Sequence, residues 1–422
     1  MRRVDGLVLT VSVAALVACS AGASGPGGGV GDDGGGGTSG TGTGGVSLGG
    51  TAGTIITGGT GGTIPSGGTN NGGTGNVCDS LDVSSKPVTP TVMILVDNSS
   101  SMFETMPPAW PILYSALMSP ADGAVKALEG KINFGFMSYK GSTTISTEAS
   151  ETCADMTSQV LPALNNHGAI DDVYSAITWT PGTKWETPTG HAISRAAASL
   201  AAFTADPPGP KHILLVTDGN PNTCATLDPQ CGQDVSIRAA QQAFAQGISL
   251  FAFGIGDIVA QPNNGCPTSA RCGSLHLQDM ANAGLGLPVQ APAENFKYEA
   301  CNIGQLLTAT YATAAETPGT ATFFTAANRE QLLPQLTSLL AGVISCTLDM
   351  DAIVTGDAAR GTVAITPENG MQRQIPVNDM TDGWVLEPNK FQVTLTGQAC
   401  LDYKAGNADV SIEFPCGVAE PR

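Results

Sequence analysis

At 422 residues the chain is long enough for two to three domains, but its 54 glycines are far above the average share and are bunched, so much of the N-terminal quarter cannot form core. A formal net charge of −18 makes nucleic acid and anionic lipid poor partners for the folded surface, and favours solubility and the attraction of cations.

In chain order, the first element is an export signal. "MRRVDGLVLTVSVAALVAC" has two arginines, an apolar stretch from Gly6 to Ala18 and a small residue before a cysteine. That stretch is short for a membrane span and suits a signal peptide over residues 1–18. Its ending, "LVAC", resembles a bacterial lipobox. The resemblance implies cleavage before Cys19, a diacylglycerol on its thiol and, with Ser20 behind it, sorting to the outer membrane. Plain secretion with cleavage near "ASG" is the alternative. Residues 19–77 are Gly, Thr and Ser with almost no large apolar side chain, so burial cannot repay their ordering entropy. They read as a flexible tether with a root-mean-square reach of roughly 40 Å.

Eleven cysteines less a lipidated Cys19 leave an even number on an exported chain, so disulfides are expected throughout. Cys224 with Cys231 and Cys266 with Cys272 are close enough to staple loops, and Cys78 and Cys346 bracket the region between them. None of the four histidines stands at zinc-finger spacing with cysteine.

From residue 78 short apolar runs alternate with longer helical stretches. "TVMILVD" (91–97), "KINFGFMSY" (131–139), "KHILLVTDG" (211–219) and "ISLFAFGIG" (248–256) have the length and content of buried strands. "AWPILYSALM", "GAVKALEG", "TGHAISRAAASLAAF" and "QDVSIRAAQQAFAQG" lie between them as helices, and "NREQLLPQLTSLLAGVI" (328–344) closes the series. The pattern predicts an α/β fold, a doubly wound, mostly parallel central sheet flanked by helices, over residues 78–346. Within it, residues 257–325 read as cysteine-tied insertions with one helix near His276–Ala283. Residues 347–422 change to short alternating runs, with Asn369-Gly370 and Asp382-Gly383 as expected turns, and predict a small all-β C-terminal appendage.

In such sheets ligand sites form beyond the carboxyl ends of the parallel strands. Asp97 ends the first strand and Asp218 ends "HILLVTD", which puts two carboxylates on one rim without a lysine or arginine adjacent in sequence. They would repel each other unless a cation neutralises them, and a hard divalent ion fits. "DNSSS" curls Asp97, Ser99 and Ser101 toward one point, and "ETPTGHAI" supplies Thr187 from a third loop. These three segments resemble the metal-ion-dependent adhesion site of the von Willebrand factor A domain family. The resemblance implies that Ser99 and Ser101 bind Mg²⁺, or Mn²⁺ or Ca²⁺, directly. Asp97, Asp218 and Thr187 would bind directly or through water, and an acidic group of a partner would take the open position. Thr189 is the alternative to Thr187. Helix capping explains each residue singly but not the convergence of three loops; a metal held structurally, with no partner completing it, stays beside the adhesive reading. Trp185, Asn220 and Asn222 flank the rim as candidate partner contacts, and Trp179 reads as packed beneath the loop.

The function expected is a lipid-anchored surface binding or adhesion protein that engages an acidic protein or glycan through the ion, with no nucleic-acid partner and no catalytic residues. A structural subunit of a surface assembly is one alternative. The other is a hydrolase, for which no nucleophile and base stand at readable spacing: His191 opens a helix and His167 reads as loop surface.

Overall fold

The computed structural model describes residues 80–105, 107–142, 154–223, 229–256, 271–290, 316–367, 370–405 and 408–422. The expectations for Cys19, the tether, Cys78, Cys224, Cys266 and Asn369 lie outside the described residues. No helix among the described residues is long and apolar enough to cross a membrane.

Strands β1 (Ser80–Val83), β2 (Ser85–Pro87) and β3 (Thr91–Asp97) lead into helices α1 (Ser101–Glu104), α2 (Ala109–Met118) and α3 (Ala124–Leu128). Then come β4 (Asn133–Tyr139), β5 (Gly141–Ser142), β6 (Gln159–Ala163), α4 (His167–Ser175), β7 (Trp185–Glu186) and α5 (Thr189–Ala202). Next are β8 (Lys211–Thr217), α6 (Pro229–Ala245), β9 (Ile248–Ile255), α7 (Ser274–Gly284), β10 (Phe324–Ala326) and α8 (Arg329–Val343). The C-terminal part holds β11 (Thr347–Met350), β12 (Ala352–Val354), β13 (Thr362–Thr366), β14 (Arg373–Ile375), β15 (Asp382–Leu386) and β16 (Gln392–Thr396). It ends with α9 (Gly397–Ala405), β17 (Asp409–Pro415) and β18 (Ala419–Pro421).

β3 is buried along its whole length because both of its faces are covered. Val92, Ile94 and Val96 meet one apolar layer, with α2, α3, α4 and α8, while Met93 and Leu95 meet the other, with α5, α6 and α7. The central sheet runs β10-β9-β8-β3-β4-β6. Its neighbours pair in parallel except β6, which is antiparallel to β4. This is the α/β fold with a mostly parallel, helix-flanked sheet that the alternation of runs predicts. Edge strands β6 and β10 and helix α4 are additions to the sequence reading. His167 is the first residue of α4 rather than loop surface: its backbone N–H donates to Glu129 (2.9 Å) and its ring Nε2 lies 2.9 Å from the Met118 carbonyl oxygen.

The C-terminal strands form two antiparallel four-stranded sheets, β1-β17-β13-β14 and β15-β16-β11-β2, around a shared core. Trp384 meets Phe414 edge to face across it, with ring centroids 6.4 Å apart. Three features differ from the sequence reading. Residues 80–87, grouped there with the central domain, pair with β17 and β11. Helix α9 joins an appendage expected to hold strands alone. Asp382-Gly383 sits inside β15 rather than in a turn. A Cβ on Gly383 would lie 2.4 Å from the Pro376 carbonyl oxygen, so the glycine permits a close backbone approach.

Cys346 does not pair across the bracketed region toward Cys78; it is bonded to Cys400 of α9, with Cα atoms 5.5 Å apart. Cys231, Cys272 and Cys416 are also disulfide-bonded. Two lysines tie α9 to the α/β layers. The Lys404 ammonium donates to the Gly342 carbonyl in the last turn of α8 (3.1 Å). The Lys131 ammonium donates to the Tyr403 and Lys404 carbonyls at the end of α9 (3.2 and 3.0 Å). Cations at these ends satisfy carbonyls that have no partner within the helix and complement its dipole.

Candidate metal and partner site

β3 and β8 are neighbours in register, Val96 opposite Val216, so Asp97 and Asp218 leave the sheet at one edge. From β3 the chain moves to β4 on one side and later returns to β8 on the other. Connections therefore diverge here, which opens a crevice at the strand ends.

Both carboxylates are fully buried. Asp97 Oδ1 accepts from the Ser99 backbone N–H (2.8 Å), and its Oδ2 accepts from the Thr217 hydroxyl (2.6 Å). Burial pushes the Asp97 carboxyl above the ordinary carboxylate range, and these hydrogen bonds only partly oppose it. The Ser101 hydroxyl donates to Asp218 Oδ1 (2.7 Å) and lies 3.0 Å from Ser99 Oγ. Thr187 reaches the same crevice from a third loop. A Cβ on Gly219 would sit 3.7 Å from Ser101 Oγ and 4.0 Å from Thr187 Oγ1, so the bare face of this glycine opens toward both hydroxyls. Thr189 turns away: it is 2 % exposed and its hydroxyl lies 3.0 Å from the buried Tyr139 hydroxyl.

Hydrogen bonds between loops hold this geometry. The Thr187 carbonyl accepts from the backbone N–H of Thr189 (2.8 Å) and of Asn222 (2.9 Å). Ser100 ties the first loop to the third: its N–H donates to the Trp185 carbonyl (3.1 Å), its Oγ accepts from the Trp185 N–H (2.7 Å) and donates to the Thr183 carbonyl (2.8 Å). Gly190, which follows Thr189, lets α6 cross α5 closely, since a Cβ there would lie 2.5 Å from Val235 Cγ1 and 2.8 Å from the Ser236 nitrogen.

The flanking candidates divide by what they touch. Trp185 is half-buried, with the Lys140 ammonium 3.6 Å from its ring centroid and Phe103 at its edge. Trp179 stacks on Phe103 with centroids 5.8 Å apart and donates to the Thr183 carbonyl (3.2 Å). Asn220 accepts from the Gly273 N–H (2.9 Å), and Asn222 donates to Glu186 (2.6 Å), so both asparagines brace neighbouring segments. Thr217, Ser100, Tyr139 and Phe103 escape sequence reasoning. Thr217 stands directly before Asp218 in "VTDG", but a threonine in a strand is ordinary. Only the partner across the sheet shows its use.

Among the described residues no three His, Cys, Asp or Glu side chains gather as a metal site. The cluster at the rim has two carboxylates, and hydroxyls make up the rest. An all-oxygen set of this kind suits hard ions such as Mg²⁺, Mn²⁺ or Ca²⁺ and offers nothing to soft ones.

Residues 91–264 match the model of the von Willebrand factor type A domain, a span that holds five of the six strands of the central sheet and the crevice. No curated protein matches the chain. Among solved structures, the pilus adhesin SpaC of Lactobacillus rhamnosus GG aligns at 15 % identity and a TM-score of 0.37, over 80 % of this chain and 40 % of its own. The mussel byssus proximal thread matrix protein 1, with a zinc-occupied MIDAS motif, aligns at 16 % identity and 0.29, over 64 % and 51 %. The human COPII-coat protein Sec24c aligns at 15 % and 0.33, over 80 % and 40 %. The chain thus spans about half or less of the length of these proteins, and likenesses this weak carry no argument here.

Proposed function

We propose that this chain is a binding protein of the adhesion type, in which Asp97, Ser99, Ser101, Thr187 and Asp218 hold a divalent cation and an acidic group of a protein or glycan completes its coordination. The observation that supports this is the meeting of three loops: hydroxyls and carboxylates at the ends of β3 and β8 and before α5 face one crevice. Separate capping roles do not explain why these particular side chains meet. A divalent ion would offset the cost of burying two carboxylates side by side. Serine and threonine hydroxyls supply neutral donors, so the ion keeps positive charge with which to attract a partner's carboxylate. The lipobox-like "LVAC" and the Gly-rich segment add the proposal that Cys19 is lipid-anchored at the outer membrane and that residues 19–77 carry the domain away from it.

The reading is tested by titrating the ectodomain with Mg²⁺, Mn²⁺ and Ca²⁺ while following calorimetric heat and melting temperature. At 100 times the dissociation constant, binding stabilises the wild type by about 2.7 kcal/mol, and Asp97→Ala and Asp218→Ala abolish the increment. Capture of acidic partners from surface extracts then requires the ion and is lost on chelation. Equal ion responses in wild type and both variants would overturn the assignment.

A further inference from the structure

Next to the crevice lies a cleft of about 460 Å³ between the ends of β4 and β6, the Asp155 segment and α4. Asn98, Ser138, Asp155, Gln159, Asp172 and Thr178 are among its lining residues, so its walls are mainly polar. Asn98 joins the cleft to the rim, since it stands between Asp97 and Ser99. It is 4 % exposed, and its Oδ1 has no hydrogen-bond partner among the described residues. A buried amide oxygen in this state calls for a donor.

Charge decides which donor. Among the described residues the cleft holds one cation, Lys140, and its ammonium is already engaged, 3.9 Å from Asp155 Oδ2 and over the Trp185 ring. Asp172 of α4 is exposed, also lines the cleft and adds a second carboxylate. With Lys140 set against Asp155, the remaining charge is the negative one of Asp172, and the buried group left without a partner is an acceptor, Asn98 Oδ1. A planar guanidinium, with five donors and no acceptor, matches such walls better than an anion or an apolar group.

We propose that this cleft receives a guanidinium or ammonium side chain from the same partner whose acidic group meets the rim. The recognised element would then be an acidic and a basic side chain held close together on one protein segment. This rests on the adhesive reading for its context but not for its test. The cleft needs no divalent ion, so binding is measured in chelator, with N-acetyl-arginine amide as probe and N-acetyl-citrulline amide, its uncharged isostere, as control.

Backbone amide shifts of the ectodomain should report millimolar binding of the arginine probe at residues around Asn98 and Asp172. Citrulline should bind at least tenfold more weakly, and Asp172→Asn should weaken arginine several-fold with an unchanged melting temperature. Asn98→Ala, checked for folding in the same way, should weaken it as well. Equal binding of the two probes, no binding of either, indifference to Asp172→Asn, or preference for acetate through Lys140 would each overturn the proposal. Those outcomes leave the ion titration untouched, and failure of that titration leaves these shifts to be read on their own.

Discussion

Gly190 shows how a single position in the rim serves packing rather than chemistry. It stands in "TPTG" beside the hydroxyls, yet its missing side chain admits α6, whose Val235 and Ser236 backbone would be struck by a methyl group. Gly190→Ala should cost about 1–3 kcal/mol in denaturant unfolding and displace the start of α5 with Thr187, weakening ion binding in parallel. A variant that loses affinity at unchanged stability would contradict this coupling. That Asp97 and Asp218 share one rim was legible because each follows a long apolar run, whereas Ser99, Ser101 and Thr187 were singled out by the resemblance of their segments, and the ion-binding role of all five remains the proposal. The side chains that fix them were not legible. Ser100 and Thr217 are ordinary in a loop and a strand, and their value lies in partners 85 and 120 residues away.

Elements with strong local pattern were equally legible. β3, β4, β8 and β9 are continuous apolar runs, and their observed limits differ from the sequence reading by two residues or fewer. α4 was hidden because "HGAIDDVYS" includes a glycine and two aspartates, weak helix formers. Tertiary contacts hold it: Asn166 donates to the Phe134 and Leu161 carbonyls (2.7 and 2.9 Å), and Tyr174 is fully buried. β6 was hidden by Pro162 and by an edge position that leaves Leu161 exposed. The chain just beyond α8 is restrained covalently by the bond from Cys346 to Cys400 of α9. Cys346→Ser with Cys400→Ser should lower stability by about 2–4 kcal/mol and speed amide exchange in the last turn of α8 and in α9. Lys131→Met should give a smaller change, about 1 kcal/mol, confined to α9. Unaltered exchange in the double variant would show that packing alone holds the junction.

The whole molecule should be sensitive to acid. His276 is buried and has its imidazole pushed down to about 3, and burial takes His212 down to about 4. Each is neutral in the fold and would gain a proton on unfolding. Their contribution is complete above the ordinary histidine value of about 6.5 and is lost as pH falls from there toward 4 and 3. Asp279 works in the opposite sense: burial, only partly offset by Arg271, raises it to about 6, so it favours the fold as pH falls from 6 toward 3.8. The combined displacements of the two histidines exceed that of Asp279, and the raised carboxyl of Asp97, which acts in the same sense as Asp279, reduces the net fall without reversing the histidines' direction. Stability should fall by several kcal/mol between pH 6.5 and 4, and His276→Leu should flatten the lower part of the profile. A denaturant midpoint independent of pH over that interval would refute the assignment of these histidines.

At the same scale, the joining of β1 and β2 to strands more than 260 residues later was beyond any local pattern. It means that the α/β layers are connected to the C-terminal sheets by two stretches of chain, residues 88–90 and 344–346, the first of which is held to the start of β11 by the Val88 N–H to Thr347 carbonyl bond (2.9 Å). If the rim is pulled away from residue 80, the covalent path runs through residues 88–90, and the second connection, 344–346, takes load only through the pairing of β1 with β17 and of β2 with β11. Separating the α/β layers from the C-terminal sheets therefore requires this strand pairing to yield as well, a mechanical redundancy that would serve the proposed binding role.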